Sequence, residues 1–159
     1  MKTRFLTTVC ALLTLAVLLG GCSAGAEKAP KKEVGIQLYS VRSLIGAFGN
    51  NQEDYKPVLK QLADMGYTSV EAASYKDGKI YGQTPEQFRK DVEEASMKVL
   101  STHCTINLSD EELAAGDFSK ALAWWDECIA AHKAAGAEYI VVPSMRKVST
   151  LEELATYCR

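Results

Sequence analysis

Four short apolar segments alternate with segments that carry apolar residues at helical spacing. The apolar segments are Val34–Tyr39, Thr68–Ala73, Lys98–Cys104 and Tyr139–Ser144. Each has the length of a β-strand, while the three- to four-residue periodicity between them predicts helices. No predicted strand is joined to the next by a hairpin turn, so each crossover must return the chain to the same end of the sheet. The pattern therefore predicts an α/β fold with a parallel sheet and about four βα units.

Capping signals mark the ends of the predicted helices. Thr84-Pro85-Glu86-Gln87 offers an N-cap, a proline in the first turn and a glutamine that closes a capping box, and Ser109 caps a second helix. Gly66 and Gly136 are placed to end helices. The predicted inner face of the long helix before Gly136 consists of Ala121, Leu122, Trp125, Cys128, Ile129 and His132.

The first residues have the composition of an export signal. Lys2 and Arg4 precede an apolar stretch from Phe5 to Leu19, which is typical of a secretory signal and short for a membrane-spanning anchor, the alternative interpretation. The run Leu19-Gly20-Gly21-Cys22 resembles the bacterial lipobox, in which the cysteine is lipidated. We therefore expect a lipoprotein signal peptide over 1–21, a tether over 22–33 and the folded domain over 34–159. This predicts an exported protein anchored in the cell envelope of a bacterium, in contact with the membrane through Cys22.

Composition and net charge limit the classes of binding partner that this chain is expected to have. The 159 residues are 47% hydrophobic and 24% charged, with a formal net charge of −2, which is an ordinary globular composition and argues against a nucleic-acid partner. Cys104, Cys128 and Cys158 remain once the signal and Cys22 are set aside. They form an odd set without CxxC spacing, so the sequence predicts neither a disulfide framework nor a zinc knuckle. Cys128 is expected to be a small core residue.

Several segments, taken in order, resemble one known family. The run Gly35–Arg42 resembles the opening strand of the xylose-isomerase-like barrel family, the sugar phosphate isomerases/epimerases. Gly66–Glu71 is similar to that family's second strand and Ser101–His103 to its third, while Ala131–Pro143 is similar to the fourth crossover and strand. The resemblance covers nearly all of 34–159 but implies only the N-terminal half of a (β/α)8 TIM barrel. The alternative is a small flavodoxin-like open sheet that is complete as it stands.

The resemblance also implies a chemistry. Family members hold a divalent metal (Mn, Mg, Co or Zn) on the later strands, where two glutamates move a proton next to a sugar carbonyl. Those later strands have no counterpart here, so no metal ligand and no catalytic base is assigned. The implied function is the front half of a metal-dependent sugar or sugar phosphate isomerase/epimerase, with a small sugar or sugar derivative as substrate.

Candidate substrate-binding residues lie where the predicted strands end. Glu71 and His103 end the second and third strands, and Tyr39 and Arg42 follow the first. Side chains at these strand ends face the site in such barrels, so we expect sugar hydroxyl binding, with His103 as a polariser or acid. A structural interpretation is open for each: Glu71 pairing with a basic residue at the rim, His103 capping a loop, and Tyr39 packing in the wall. His132 is expected to be a core residue.

Two other functions remain open at this point. One is a keto-sugar lyase or hydrolase on the same scaffold. The other is a non-catalytic carbohydrate-binding lipoprotein that kept the pocket and lost the metal. The sequence contains no glycine-rich phosphate loop, nucleophile elbow or HExxH motif.

Overall fold

A four-stranded parallel sheet forms the centre of the computed structural model, which describes residues 32–47, 50–51 and 54–158. The predicted signal peptide, Cys22 and nearly all of the predicted tether lie outside these residues. The sheet contains β1 (Gly35–Gln37), β4 (Ser69–Ala72), β7 (Lys98–His103) and β8 (Tyr139–Val141), all parallel. All four predicted strands are therefore present. The first is shorter than predicted because the chain turns into a 3-10 helix at Leu38–Val41.

The strand order distinguishes the two folds left open by the sequence. The strands lie side by side in chain order, β1-β4-β7-β8. A flavodoxin-like sheet places its first strand between its second and third, whereas a TIM barrel adds strands in sequence. The observed order is that of part of a barrel.

Two short antiparallel pairs occur in the loops, where the sequence predicted no hairpins. They are β2 (Gly46–Ala47) with β3 (Asn50–Asn51), and β5 (Tyr75–Lys76) with β6 (Lys79–Ile80). In the second pair the two turn residues, Asp77 and Gly78, have φ values of 50° and 73°. Asp-Gly suits a turn in which both residues have positive φ, so the signal was present in the sequence and was missed.

Helices follow the sheet strands, and two of them begin at the predicted caps Thr84 and Ser109. They are α1 (Arg42–Ile45), α2 (Lys56–Asp64), α3 (Pro85–Glu94), α4 (Asp110–Ala115), α5 (Ser119–Ala134) and α6 (Leu151–Tyr157). Thr84 Oγ1 accepts from the Gln87 backbone N–H at 3.2 Å, but the Gln87 side chain donates to Asp91 at 2.8 Å. The predicted capping box at Thr84 is therefore only half formed. Ser109 and Glu112 form a complete one. No described helix has the length and apolar character needed to cross a membrane.

The hydrophobic core lies between the sheet and the helices. Val70 of β4 and Phe88 and Val92 of α3 are fully buried in it. The predicted inner face of α5 is only partly right: Cys128 and His132 are buried, whereas Leu122 and Ile129 are 62% and 51% exposed. Successive helical residues point about 100° apart. The buried line of α5 runs through Ala121, Cys128 and His132, so its neighbours at Leu122 and Ile129 turn away from it.

Candidate functional site

Four polar side chains from three neighbouring strands meet near the carboxyl ends of these strands. Gln37 of β1 pairs in register with Glu71 of β4, and Glu71 pairs with Ser101 of β7. His103 is the last residue of β7. Val70 and Ala72, the neighbours of Glu71 on β4, are buried against the helix layer. Since side chains alternate along a strand, Glu71 faces the opposite side of the sheet. We call Gln37, Glu71, Ser101 and His103 the Glu71 cluster.

Glu71 is the centre of this cluster. Gln37 Nε2 donates to Glu71 Oε1 at 2.7 Å, and Ser101 Oγ donates to Glu71 Oε2 at 2.5 Å. His103 Nε2 lies 2.9 Å from Glu71 Oε1. Burial alone would raise the pKa of Glu71, but the hydrogen bonds from Ser101 and Gln37, together with His103, hold it below its ordinary value. Glu71 is therefore a carboxylate at neutral pH.

His103 Nε2 carries a proton, because its nearest oxygen, Glu71 Oε1, lies 2.9 Å away and a carboxylate only accepts. Gln37 Nε2, which also donates to Glu71 Oε1, lies 3.1 Å from the same nitrogen. The other ring nitrogen, Nδ1, is buried without a hydrogen-bond partner in the described part of the chain. Glu71 therefore accepts from Gln37, Ser101 and His103.

A groove borders the cluster on the same face of the sheet. It encloses about 210 Å³ and is lined by Gly35, Gln37, Ser69, Glu71 and Ser101 among others. A side chain at position 35 would place its Cβ 2.9 Å from Ser69 Oγ. Glycine at this position therefore avoids a steric conflict and keeps the groove open beside Glu71.

The predicted site residues form two pairs. Glu71 and His103 are in direct contact, whereas Arg42 lies over the ring of Tyr39 at 4.2 Å and donates to the Tyr39 carbonyl oxygen at 3.0 Å. Arg42 is exposed and forms no ion pair with Glu71 in the described part of the chain. A direct role for all four residues in substrate binding stays a prediction.

Gln37 and Ser101 were missed as site residues. Both are polar residues in otherwise apolar strand segments. Gln37 lies two positions before Tyr39 and Ser101 two positions before His103, and both pair in register with Glu71. The signal that the sequence does carry is the alternation of side chains: residues two positions apart on one strand share a face. Their register against Glu71 could not be read from the sequence, because β4 shifts by one residue against β7 between Val70 and Glu71.

The Glu71 cluster does not fit a divalent metal on its own. Glu71 and His103 are its only carboxylate and imidazole side chains, and they are hydrogen-bonded to each other. In the described part of the chain, three ligand side chains come together only at Cys104, Cys128 and His132. Catalytic zinc sites, for example, use three protein ligands and keep a fourth position open. A metal at this site would therefore need ligands in addition to Glu71 and His103.

The fold and the cluster define a class: a parallel α/β sheet of TIM-barrel type with polar groups at the carboxyl ends of its strands. Two crystal structures from Parabacteroides distasonis, each described as a sugar phosphate isomerase/epimerase, have this fold. The first matches with a TM-score of 0.65 and 27% identity over 80% of this chain and 47% of its own. The second matches with a TM-score of 0.61 and 21% identity over 85% of this chain and 46% of its own.

These matches confirm the predicted resemblance at the level of structure. The chain has the fold of part of a xylose isomerase-like TIM barrel, and its structural neighbours are sugar phosphate isomerases/epimerases. It spans less than half the length of the structures that it matches. No protein-family model matches the sequence, and neither does any curated protein.

Proposed function

We propose that this chain supplies the sugar-binding side of a metal-dependent sugar or sugar phosphate isomerase/epimerase. The reaction would be a proton transfer next to a carbonyl. The observation that carries the proposal is the Glu71 cluster, which stands where barrel enzymes hold their substrates. The kind of structural neighbour supports the same reaction class.

The contacts suggest a role for each cluster residue. The Glu71 carboxylate accepts hydrogen bonds from the protein and has further lone pairs for a sugar hydroxyl. Gln37 and Ser101 position that carboxylate and keep it charged. His103 would polarise a sugar oxygen or carry a proton, a role that an imidazole beside a carboxylate can take. The expected metal and its remaining ligands are additional to these residues.

Export and lipid anchoring are part of the proposal. They rest on the positive charges at Lys2 and Arg4, the apolar stretch behind them and the cysteine at position 22. A sugar-processing protein at the cell envelope would meet its substrate before uptake, so its substrate would be an extracellular sugar or sugar derivative.

Ligand-observed NMR on the full chain in detergent tests the sugar site. A panel of ketoses, aldoses and their phosphates is screened by saturation transfer. We expect a signal from at least one sugar, and we expect Glu71→Gln and His103→Gln to abolish it. Glu127→Gln is the matched control because Glu127 is an exposed glutamate on α5. No binding by the wild-type chain, or equal binding by all variants, would overturn the proposed site.

The same samples separate the proposed reaction from the alternatives. With Mn²⁺ and deuterium oxide, proton transfer beside the carbonyl exchanges a carbon-bound hydrogen for deuterium, which the sugar's NMR spectrum reports. Binding without exchange would favour the non-catalytic carbohydrate-binding alternative. Cleavage products would favour the lyase or hydrolase.

A further inference from the structure

Two buried thiols face each other next to the Glu71 cluster. Cys104 directly follows His103 at the end of β7, and Cys128 lies in the middle of α5. Their sulfur atoms are 3.0 Å apart, although the residues are 24 positions apart in the chain. The side chains are 5% and 0% exposed, respectively. We call them the Cys104–Cys128 pair.

His132 and Tyr75 enclose this pair. His132 follows Cys128 by one helical turn, and its Nδ1 lies 3.4 Å from Cys128 Sγ and 2.5 Å from the Cys128 carbonyl oxygen. A carbonyl oxygen only accepts, so Nδ1 carries the proton and donates it to the backbone. The ring of Tyr75 packs on the His132 ring with centroids 4.7 Å apart. Water is thus kept from the pair, and the nearer nitrogen of His132 is already in use.

The geometry favours a covalent bond over a shared metal. Two thiolates on one tetrahedral zinc, each about 2.3 Å from the ion, are held about 3.8 Å apart. The observed 3.0 Å is shorter than that separation and longer than a disulfide bond. A disulfide requires the sulfurs to close to about 2.05 Å. The ring nitrogen of His132 nearer to Cys128, Nδ1, carries a proton and could not also bind the ion.

The two thiols also differ in the way that disulfide formation requires. The hydrogen bond with Cys128 lowers the pKa of Cys104 against the effect of burial, and His132 lowers it further. The same hydrogen bond, followed by burial, raises the pKa of Cys128. Cys104 therefore loses its proton more readily than Cys128 and is the attacking group in thiol–disulfide exchange.

We propose that Cys104 and Cys128 form a buried disulfide that ties the His103 end of β7 to helix α5. The oxidant is a small-molecule or protein disulfide that reaches Cys104 while the chain folds, before the pair is enclosed. The Cys104 thiolate attacks one of its sulfurs and expels the other as a thiolate. The Cys128 thiol then loses its proton, attacks the Cys104 sulfur of the mixed disulfide and expels the oxidant's second sulfur as a thiolate. The protein loses two protons and two electrons, and the oxidant becomes two thiols.

In the cell this step depends on the proposed export, because disulfides persist in oxidising compartments. It does not depend on the proposed sugar chemistry. The bond would close a loop of 24 residues that contains the whole of α4 and the first part of α5. It would also limit the backbone freedom of the residue next to His103.

Peptide mapping tests the bond directly. The reduced full chain in detergent is treated with oxidised glutathione, either folded or during refolding, and free thiols are then alkylated in denaturant. Trypsin separates Cys104, in residues 99–120, from Cys128, in residues 121–133, and both from Cys158. We expect these two peptides as one linked species that dithiothreitol separates.

Stability gives a second readout. Oxidation of the wild-type chain should raise its melting temperature by roughly 10 °C through closure of the loop. Cys104→Ser and Cys128→Ser should lose this shift, whereas Cys158→Ser, at an exposed cysteine, should keep it. The comparison of oxidised with reduced wild type remains informative when a serine variant fails to fold.

Three results would overturn the proposal. One is recovery of both cysteines in alkylated form after oxidation. Another is a link from either cysteine to a different cysteine of the chain. The third is a refolded chain that keeps one equivalent of added Zn²⁺ and thereby protects both thiols, which would assign the pair and His132 to a metal. None of these results bears on sugar binding, so the two proposals fail separately.

Discussion

Replacing Ser101 with alanine removes the hydrogen bond that keeps one oxygen of Glu71 satisfied. Ser101 is 4% exposed and its hydroxyl donates to Glu71 Oε2 at 2.5 Å. The Glu71 side chain is 22% exposed, so water replaces the lost donor only in part. Hydrogen bonds to charged groups contribute about 1.5–3 kcal/mol. With some water access, we expect Ser101→Ala to lower the free energy of unfolding at pH 7 by about 1–2 kcal/mol.

The pH dependence of that loss is the sharper test. The pKa of Glu71 is lowered in the folded chain, so its contribution to stability is full above the unfolded pKa, about 4.3, and disappears as the pH falls through the folded pKa. Without Ser101, the folded pKa moves back towards the unfolded one. The difference between variant and wild type should therefore be large at pH 7 and shrink below about pH 4.

Urea unfolding of both proteins across this pH range measures the effect. Ser69→Ala is the control because Ser69 is a buried serine on the neighbouring strand, and in the described part of the chain its hydroxyl makes no hydrogen bond to a carboxylate. Its cost should be smaller and independent of pH. Equal losses for the two variants, or a Ser101→Ala loss that is the same at pH 7 and below pH 4, would refute the reasoning.

Two further predictions concern the core and the N-terminus. Tyr55→Phe should cost about 1–2 kcal/mol of unfolding free energy, because the buried Tyr55 hydroxyl donates to Asp91 at 2.6 Å. Urea unfolding should show a much smaller effect for Tyr139→Phe, a 62% exposed tyrosine, and similar costs would contradict this role. Cys22→Ala should abolish incorporation of a labelled fatty acid and release the chain from membranes, whereas Cys158→Ala should not. A lipidated Cys22→Ala protein would remove the lipobox assignment.

The sequence predicted the layers of the fold better than the details of its loops. The sheet strands are apolar because helices cover them, and this pattern survives in the sequence without knowledge of their neighbours. The hairpin at Asp77-Gly78 was missed because strands of two residues carry almost no periodicity. Leu122 and Ile129 were assigned to the core because helical periodicity gives a broad stripe, while packing decides which edge of it is buried.

The candidate site was only half predictable. Glu71 and His103 could be selected because strand ends are read from the sequence, and the structure places them in contact. Gln37 and Ser101 join them through pairing between strands that are far apart in the chain, including a register shift beside Glu71. Such a shift moves side chains to a new partner without any local sequence signal.

The sequence by itself determined the alternation of strands and helices, the parallel sheet, the capped helix starts and the chemistry available at each strand end. These are local properties, set by side-chain period, turn residues and charge. Only the tertiary structure decided which of these side chains meet. It brought Gln37 and Ser101 to Glu71, and it brought Cys128 to Cys104 across 24 residues. The physical reason is that contacts between distant residues depend on strand register and helix rotation, which packing of the whole core selects.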